Sequence, residues 1–324
     1  MNRRHFLGTL GVSIFAAPSL IEAQQAGKVW RVAYLSLQCG QNSTTAAFDA
    51  GLKELGYVQG HNLVIERRFL CQRIDAVDGV VQEAIRPNTD VIVAAAIRLT
   101  AAAKRATSTI PIVFVAVRAP VERSLVTSLA RPGGNVTGMA TFPVATIDGK
   151  LFELAKELIP QRSRIAILRS ADDPPGAFEA QDKAANSLGL TLVPVPFSNA
   201  ADLANLSAAI DRSHVHMLVA PDTSLAFARR KEIVEVAMKK RLPAAYAFRE
   251  TVEDGGLIAV SADLEEMSRH AAVYVAKIFG GAKAGELPVV QPTKLNVTVN
   301  LRTAKTLGLT IPPAVLLRAD KVIE

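Results

Sequence analysis

The sequence predicts an α/β protein assembled from two successive parallel-sheet domains. Three observations predict it. Strand-like and helix-like segments alternate at the spacing of strand–helix units. The strand-like segments are nearly all apolar, the mark of strands buried on both faces between helices. The alternation runs once from Val29 to Ala140 and begins again at Ile147, and 324 residues are ample for two cores.

Each element has a local reason. Val29 to Leu35 is a short run of branched residues and reads as the first strand. Thr44 to Leu55 carries apolar residues at helical spacing and stops at Gly56. Asn62 to Phe69 is a strand, Ile74 to Ile85 a helix before Pro87, and Asp90 to Ala95 a strand. Leu99 to Thr107 is a helix and Ile112 to Val117 a strand. Pro120 is placed to start a helix that ends near Arg131-Pro132-Gly133-Gly134, and Val136 to Ala140 is a fifth strand. The second run opens with a helix, Ile147 to Ile159. Strands follow at Arg164–Arg169, Thr191–Val195, His216–Ala220, Pro243–Phe248 and Leu257–Val260. Helices lie between them at Gly176–Leu188, Ala201–Ile210 and Ser224–Lys240, and Leu264 to Phe279 is a strong final helix before Gly280-Gly281.

The first residues read as an address. Arg3 and Arg4 precede an uncharged, mostly apolar stretch from Phe6 to Ile21, and Ile21-Glu22-Ala23 supplies a small residue before a cut. Arg3-Arg4-His5-Phe6-Leu7 resembles a twin-arginine export signal. Residues 1–23 are therefore expected to be a signal peptide cleaved near Ala23, with the mature chain in the periplasm. The alternative is an uncleaved anchor, for which the stretch is short. Cleavage removes Arg3, Arg4 and Glu22 and takes the net charge from +7 to +6. That balance is no polybasic tail. With aromatics at 5%, no nucleic-acid partner is expected.

Cys39 and Cys71 rule out a disulfide-dense scaffold and a four-cysteine zinc site, and no HExxH pattern occurs. His214 and His216 share a strand face but lack a nearby third ligand, so strand-end histidines are the simpler reading. Gly133-Gly134 and Gly255-Gly256 fit neither GxGxxG nor GxxxxGK[ST] and read as turns. No cofactor is expected.

Open α/β sheets bind ligands at the carboxyl ends of their strands. The loops there are Ser36–Ser43, Ala95–Arg98, Val117–Pro120, Ser170–Pro174, Ala220–Thr223, Phe248–Glu250 and Ser261–Asp263. The candidate ligand-binding residues are Ser36, Gln38, Ile97, Arg98, Arg118, Ser170, Asp172, Asp222, Tyr246, Phe248 and Ser261. Arg98 and Arg118 read either as a cationic cleft rim for a carboxylate or as solvated loop arginines. Asp172 and Asp173 either cap the next helix or meet a ligand amine, and Asp222-Thr223-Ser224 has the same two readings. Tyr246 and Phe248 either stack on a ligand ring or belong to the core. Cys39 and Cys71 lie past the same ends of neighbouring strands, so either a disulfide or two thiols fits.

Long motifs then carry a resemblance. They are Gly51-Leu52-Lys53-Glu54-Leu55-Gly56-Tyr57-Val58-Gln59-Gly60, Ala130-Arg131-Pro132-Gly133-Gly134-Asn135-Val136-Thr137-Gly138, Phe248-Arg249-Glu250-Thr251-Val252-Glu253-Asp254-Gly255-Gly256-Leu257 and Asn300-Leu301-Arg302-Thr303-Ala304-Lys305 with its Pro312-Pro313 end. In this order they resemble the periplasmic substrate-binding components of ABC transporters described as the tryptophan/tyrosine type. The resemblance implies a periplasmic binding protein-like I fold: two doubly wound parallel-sheet lobes joined by a hinge. It implies an N-terminal lobe of residues 27–142 plus about 262–290, and a C-terminal lobe of 143–261 plus about 291–324. It also implies a monomer that traps a small solute, amino-acid-like or another small carboxylate, by hinge closure and presents it to an inner-membrane ABC permease. The lip of the cleft departs from the family. Ala96-Ile97-Arg98 stands where relatives have a Gly-Thr-Pro-like turn, Ala119 where they often have Asp, Ser170-Ala171-Asp172-Asp173-Pro174 for an Asn-Pro-Ala-Asn-like loop, and Ser261-Ala262 for Gly-Pro. Arg98 and Arg118 shift the expected ligand toward an anion.

Two other functions share the fold class. One is a ligand sensor for a membrane receptor; the other is an exported α/β enzyme. Against the enzyme, the chain has no GxSxG elbow, no nucleophile with an evident base and no metal motif.

Overall fold

The computed structural model describes residues 28–71, 73–170, 173–199 and 201–324, so the predicted signal peptide at 1–23 lies outside the described residues. Two α/β layers stand side by side. In the first, β1 (Trp30–Ser36), α1 (Ser43–Glu54), β2 (Leu63–Phe69), α2 (Val77–Ala84), β3 (Val91–Ala95), α3 (Ile97–Ala106), β4 (Ile112–Val117) and β5 (Val136–Ala140) form a five-stranded sheet ordered β2-β1-β3-β4-β5. Every pairing in it is parallel.

The second layer starts with α4 (Val144–Leu158), β6 (Arg164–Arg169), α5 (Ala177–Ser187), β7 (Thr191–Pro196), α6 (Asp202–Ser213) and β8 (Met217–Ala220). It continues through α7 (Ser224–Ala228), α8 (Arg230–Lys239), β9 (Ala244–Tyr246), α9 (Arg249–Glu253) and β10 (Ile258–Ser261). The strands β7-β6-β8-β9-β10 repeat the order of the first sheet. The tail adds β11 (Asn296–Asn300), α11 (Leu301–Leu307), α12 (Pro313–Leu317) and β12 (Lys321–Ile323), giving seven strands, with β11 antiparallel to β10. The twofold use of one parallel order is the two-lobed architecture that the strand–helix alternation predicts.

The chain passes between the layers between residues 140 and 144, 261 and 264, and 290 and 296. The helix α10 (Leu264–Phe279) follows β10 in sequence but packs on the first layer, against α1. Gly51 makes that approach close: a Cβ there would lie 2.9 Å from the Ala272 Cβ. At the far end, Phe279 stacks on Trp30 with centroids 4.3 Å apart and meets the Tyr57 ring edge-on at 5.0 Å. Asp263 starts α10 by accepting from the Glu265 and Glu266 amides at 2.9 and 3.0 Å. Downstream, Val290 pairs with Met139 beside β5.

Two helices differ from expectation. No helix follows Pro120. Ala119 and Ser124 take left-handed φ of 51° and 54°, and the Leu125 amide returns to the Pro120 carbonyl at 2.9 Å. Lys104 Nζ then donates to the Leu125 carbonyl at 3.0 Å and holds the turn down. The expected single helix over 224–240 is two, α7 and α8, broken at Arg229. Arg230 Nη1 donates to the Phe227 carbonyl at 3.1 Å, taking the acceptor a continuous helix would use. The break turns Phe227 toward the space between the layers. The short α9 and the tail elements were not legible in the periodicity.

Candidate functional site

The carboxyl ends of the two sheets face each other across a cleft with about 620 Å³ of empty space, its mouth included. On the first layer it is bounded by Ser36, Leu37 and Gln38 at the end of β1, Ala95–Ile97 between the end of β3 and the start of α3, and Val115, Ala116, Arg118 and Arg123 at and beyond β4. Asp222, Thr223, Ser224, Phe227 and Phe248 face them from the second layer. Thr44 and Leu264 complete the wall. The loops after β1 and β3 diverge where the strand order reverses, which is the crevice such sheets use for ligands.

Most of the lining is apolar. Phe227 and Phe248 meet edge to face at 4.8 Å. Within this lining, Gln38 Oε1, Thr44 Oγ1, Ser224 Oγ and Arg118 Nε are buried and have no hydrogen-bond partner. Buried polar atoms are normally satisfied, so these four, three on the first layer and Ser224 opposite them, can be met by water or by the polar groups of a solute. The helix α3 begins at this wall with no side-chain cap at Ala96, so its amide end is turned to the same space.

Arg118 is not the unopposed cation that its loop position implies. It is 3% exposed, with Nη2 2.6 Å from Asp173 Oδ1 and Nη1 3.4 Å from Asp148 Oδ2. Asp148 sits on α4, and Gln181 Nε2 donates to its Oδ2 at 2.9 Å. Asp222 accepts from the Thr141 hydroxyl at 2.9 Å. Burial pushes the Asp148 carboxyl up to about 6, with Arg118 pulling the other way. Burial likewise raises Asp173 and Asp222 against the same guanidinium. For Arg118 burial alone would favour the neutral form, but Asp148, Asp222 and Asp173 outweigh it and raise its pKa.

Of the candidate residues, the structure brings Ser36, Gln38, Ile97, Arg118, Asp222 and Phe248 together on the cleft. Arg98 reaches away from it, its Nη2 donating to the Ser198 carbonyl beyond β7 at 3.4 Å. Ser170 is buried at the end of β6, where its amide donates to Asp173 Oδ2 at 2.8 Å, off the lining. Tyr246 is core: a Cβ on Gly256 would come within 2.6 Å of its ring, and burial raises its phenol pKa. Ser261 is buried outside the lining. Asp172 lies outside the described residues. Asp173 does not cap α5, which starts after a left-handed Gly176, and at α7 the cap is Thr223, accepting from the Ala226 amide at 3.2 Å.

Thr44, Arg123, Ser224 and Phe227 were missed as cleft residues. Thr44 and Ser224 had a signal: each stands in the first turn of a helix after a cleft-facing strand end. Arg249 pairs better with Glu265 at 2.8 Å than with its neighbour Glu250 at 4.0 Å. His216 Nδ1 accepts from the Arg164 amide at 3.3 Å, at the opposite end of the strands. Cys39 and Cys71 are joined in a disulfide, and the Cys71 amide donates to the Gln38 carbonyl at 3.1 Å, so the loop carrying Leu37 and Gln38 is tied to the end of β2.

Comparison with known proteins places this geometry. The family model described as ABC transporter substrate binding protein matches residues 39–323. A tyrosine-binding protein of Clostridioides difficile is 25% identical over 264 residues, covering 81% of this chain and 75% of that protein. Among solved structures, a conserved domain protein from Vibrio cholerae overlays with a TM-score of 0.83 at 27% identity, covering 91% of this chain and 100% of its own. An ABC domain from Streptococcus pneumoniae in complex with L-Trp overlays at 0.82 with 24% identity, covering 91% and 99%. The ligand-free, open form of a substrate-binding protein with adhesive properties from Clostridium difficile overlays at 0.64 with 22% identity, again covering 91% and 99%.

Proposed function

Because the chain belongs to the ABC transporter substrate binding protein family, we propose that it is the extracytoplasmic solute-binding component of an ABC importer. On this reading the solute is a small amino-acid-like or other small carboxylate molecule. It is clamped between the lobes as the crossings near 140–144, 261–264 and 290–296 flex, and no bond is made or broken. The closed form is then presented to a permease in the inner membrane.

The observation that carries this reading is the apolar cleft between two matching sheets, with its buried, unpartnered Gln38, Thr44, Ser224 and Arg118 atoms. A mostly apolar cleft with a few polar groups fits a small solute held by a handful of oriented hydrogen bonds. The open end of α3 and the Arg118 Nε–H suit a carboxylate, and Asp222 on the opposite wall suits an ammonium. The tyrosine-binding relative supports an amino-acid-like solute. Among the described residues, no helix is long and apolar enough to cross a membrane.

Native mass spectrometry of gently purified protein, followed by calorimetry with L-tyrosine, L-tryptophan and small aliphatic carboxylates, tests the reading. A bound mass in this class and saturable binding without turnover are expected. Chemical conversion of a bound candidate, or no binding across the panel, counts against it.

A further inference from the structure

The two cationic loop residues Arg118 and Arg98 are directed mainly at the other lobe. Arg118 leaves β4 of the first sheet and meets Asp173, after β6, and Asp148, on α4, both packed on the second sheet. Arg98, on α3 of the first layer, meets the Ser198 carbonyl after β7 of the second. Thr141, in the first crossing, donates to Asp222 after β8. The charged partners are sealed from water: Arg118, Asp148 and Asp173 side chains are 3%, 0% and 2% exposed. Closing the lobes without the guanidinium would bury these carboxylates beside Asp222 with much of their charge unopposed, which is strongly unfavourable. Closing them with it forms a short charge-assisted hydrogen bond to Asp173 at 2.6 Å and a longer contact to Asp148 at 3.4 Å.

We propose that Arg118, assisted by Arg98, is an interlobe clasp that holds this protein in its closed form before any solute arrives. This rests on the hinge reading above and adds the residues that set its resting position. Occupancy of the closed form then depends on this chain's own ion pairs, and apparent solute affinity scales with the fraction of molecules in the competent arrangement. The clasp is a positioning device: its strength acts through lobe geometry, whatever contact the Arg118 Nε–H makes with the solute.

The test is the shape of the full mature protein in solution, with native mass spectrometry first establishing that no solute is bound. Small-angle scattering of the wild type should fit the closed arrangement described here. Arg118→Met should shift the closed-to-open ratio toward open by on the order of tenfold or more and raise the radius of gyration. Asp173→Asn leaves Arg118 its Asp148 partner and covers the case in which Arg118→Met fails to fold; it should shift the same way by less. Arg118→Lys should restore part of the closed population. A wild type that is open without solute overturns the proposal, as does a closed shape retained by folded Arg118→Met, or by Asp173→Asn where Arg118→Met does not fold. None of these readouts requires the solute to be known, so failure of the clasp is distinguishable from failure of the transport reading.

Discussion

The first sheet is ordered β2-β1-β3-β4-β5, and β7-β6-β8-β9-β10 of the second repeats that order, yet the two present opposite charge to one another. From the first come Arg118 and Arg123; from the second come Asp173 and Asp222, with Asp148 reaching in from α4. Each set faced alone would suggest a site for a charged ligand. Faced together they largely neutralise each other, and the remaining lining is apolar with a few unsatisfied hydroxyl, amide and guanidinium atoms. Charge at the strand ends of this chain therefore serves first to match lobe to lobe, and only the residue of it is available for a guest.

Breaking that match should have the largest effect. Arg118→Met leaves buried carboxylates without their cation and should lower unfolding free energy by about 3–5 kcal/mol, read from urea denaturation. Arg118→Met combined with Asp173→Asn should recover part of the loss; no recovery would mean that the pair is not coupled. Next comes the brace on the first lobe. Cys39→Ser with Cys71→Ser opens a link between residues 32 apart and should cost about 2–4 kcal/mol. Thiol counting under denaturing, non-reducing conditions should find none in the wild type, and two titratable thiols would remove the brace altogether.

A smaller effect comes from pH. The Asp148 carboxyl is raised from 3.8 to about 6, so the native state holds a proton that the unfolded chain has released between those values. Stability contributed by this group therefore falls as pH rises through that window and is gained as pH drops. Thermal unfolding should show a gain from pH 7 to pH 5 to which the raised Asp173 and Asp222 also contribute, and Asp148→Asn should remove about 1 kcal/mol of it; an identical pH response in the two proteins would dismiss Asp148 as a contributor. The smallest changes sharpen the guest side. Thr44→Val or Ser224→Ala should weaken binding of the native solute by about 0.5–1.5 kcal/mol each in calorimetry, with little change in unfolding.

The architecture was legible because buried parallel strands write near-continuous apolar runs, such as Ile112 to Val117, and helices stop at glycines such as Gly56 and Gly189. The tail strands were hidden: β12 is three residues long, and β11 follows a connection with no period of its own. Positions on the cleft were legible to the extent that strand ends are, which captured Ser36, Gln38 and Asp222. What a side chain does there was not. Arg118 and Arg98 carry the same sequence signature whether they face a solute or the opposite lobe, because the partner carboxylates and carbonyl are 30 to 100 residues away. Phe227 became a cleft residue only through the break between α7 and α8, which no helical period announces.

The placement of α10 has a consequence for biogenesis. A ribosome making this protein finishes every strand of the first sheet some 120 residues before it reaches the helix that covers that sheet's α1 side. Until Ala272 docks against Gly51 and Phe279 against Trp30, the nascent lobe presents an uncovered greasy flank. A chain terminated at Ser261 should therefore be a chaperone client and an aggregator, even though it contains the whole of one sheet.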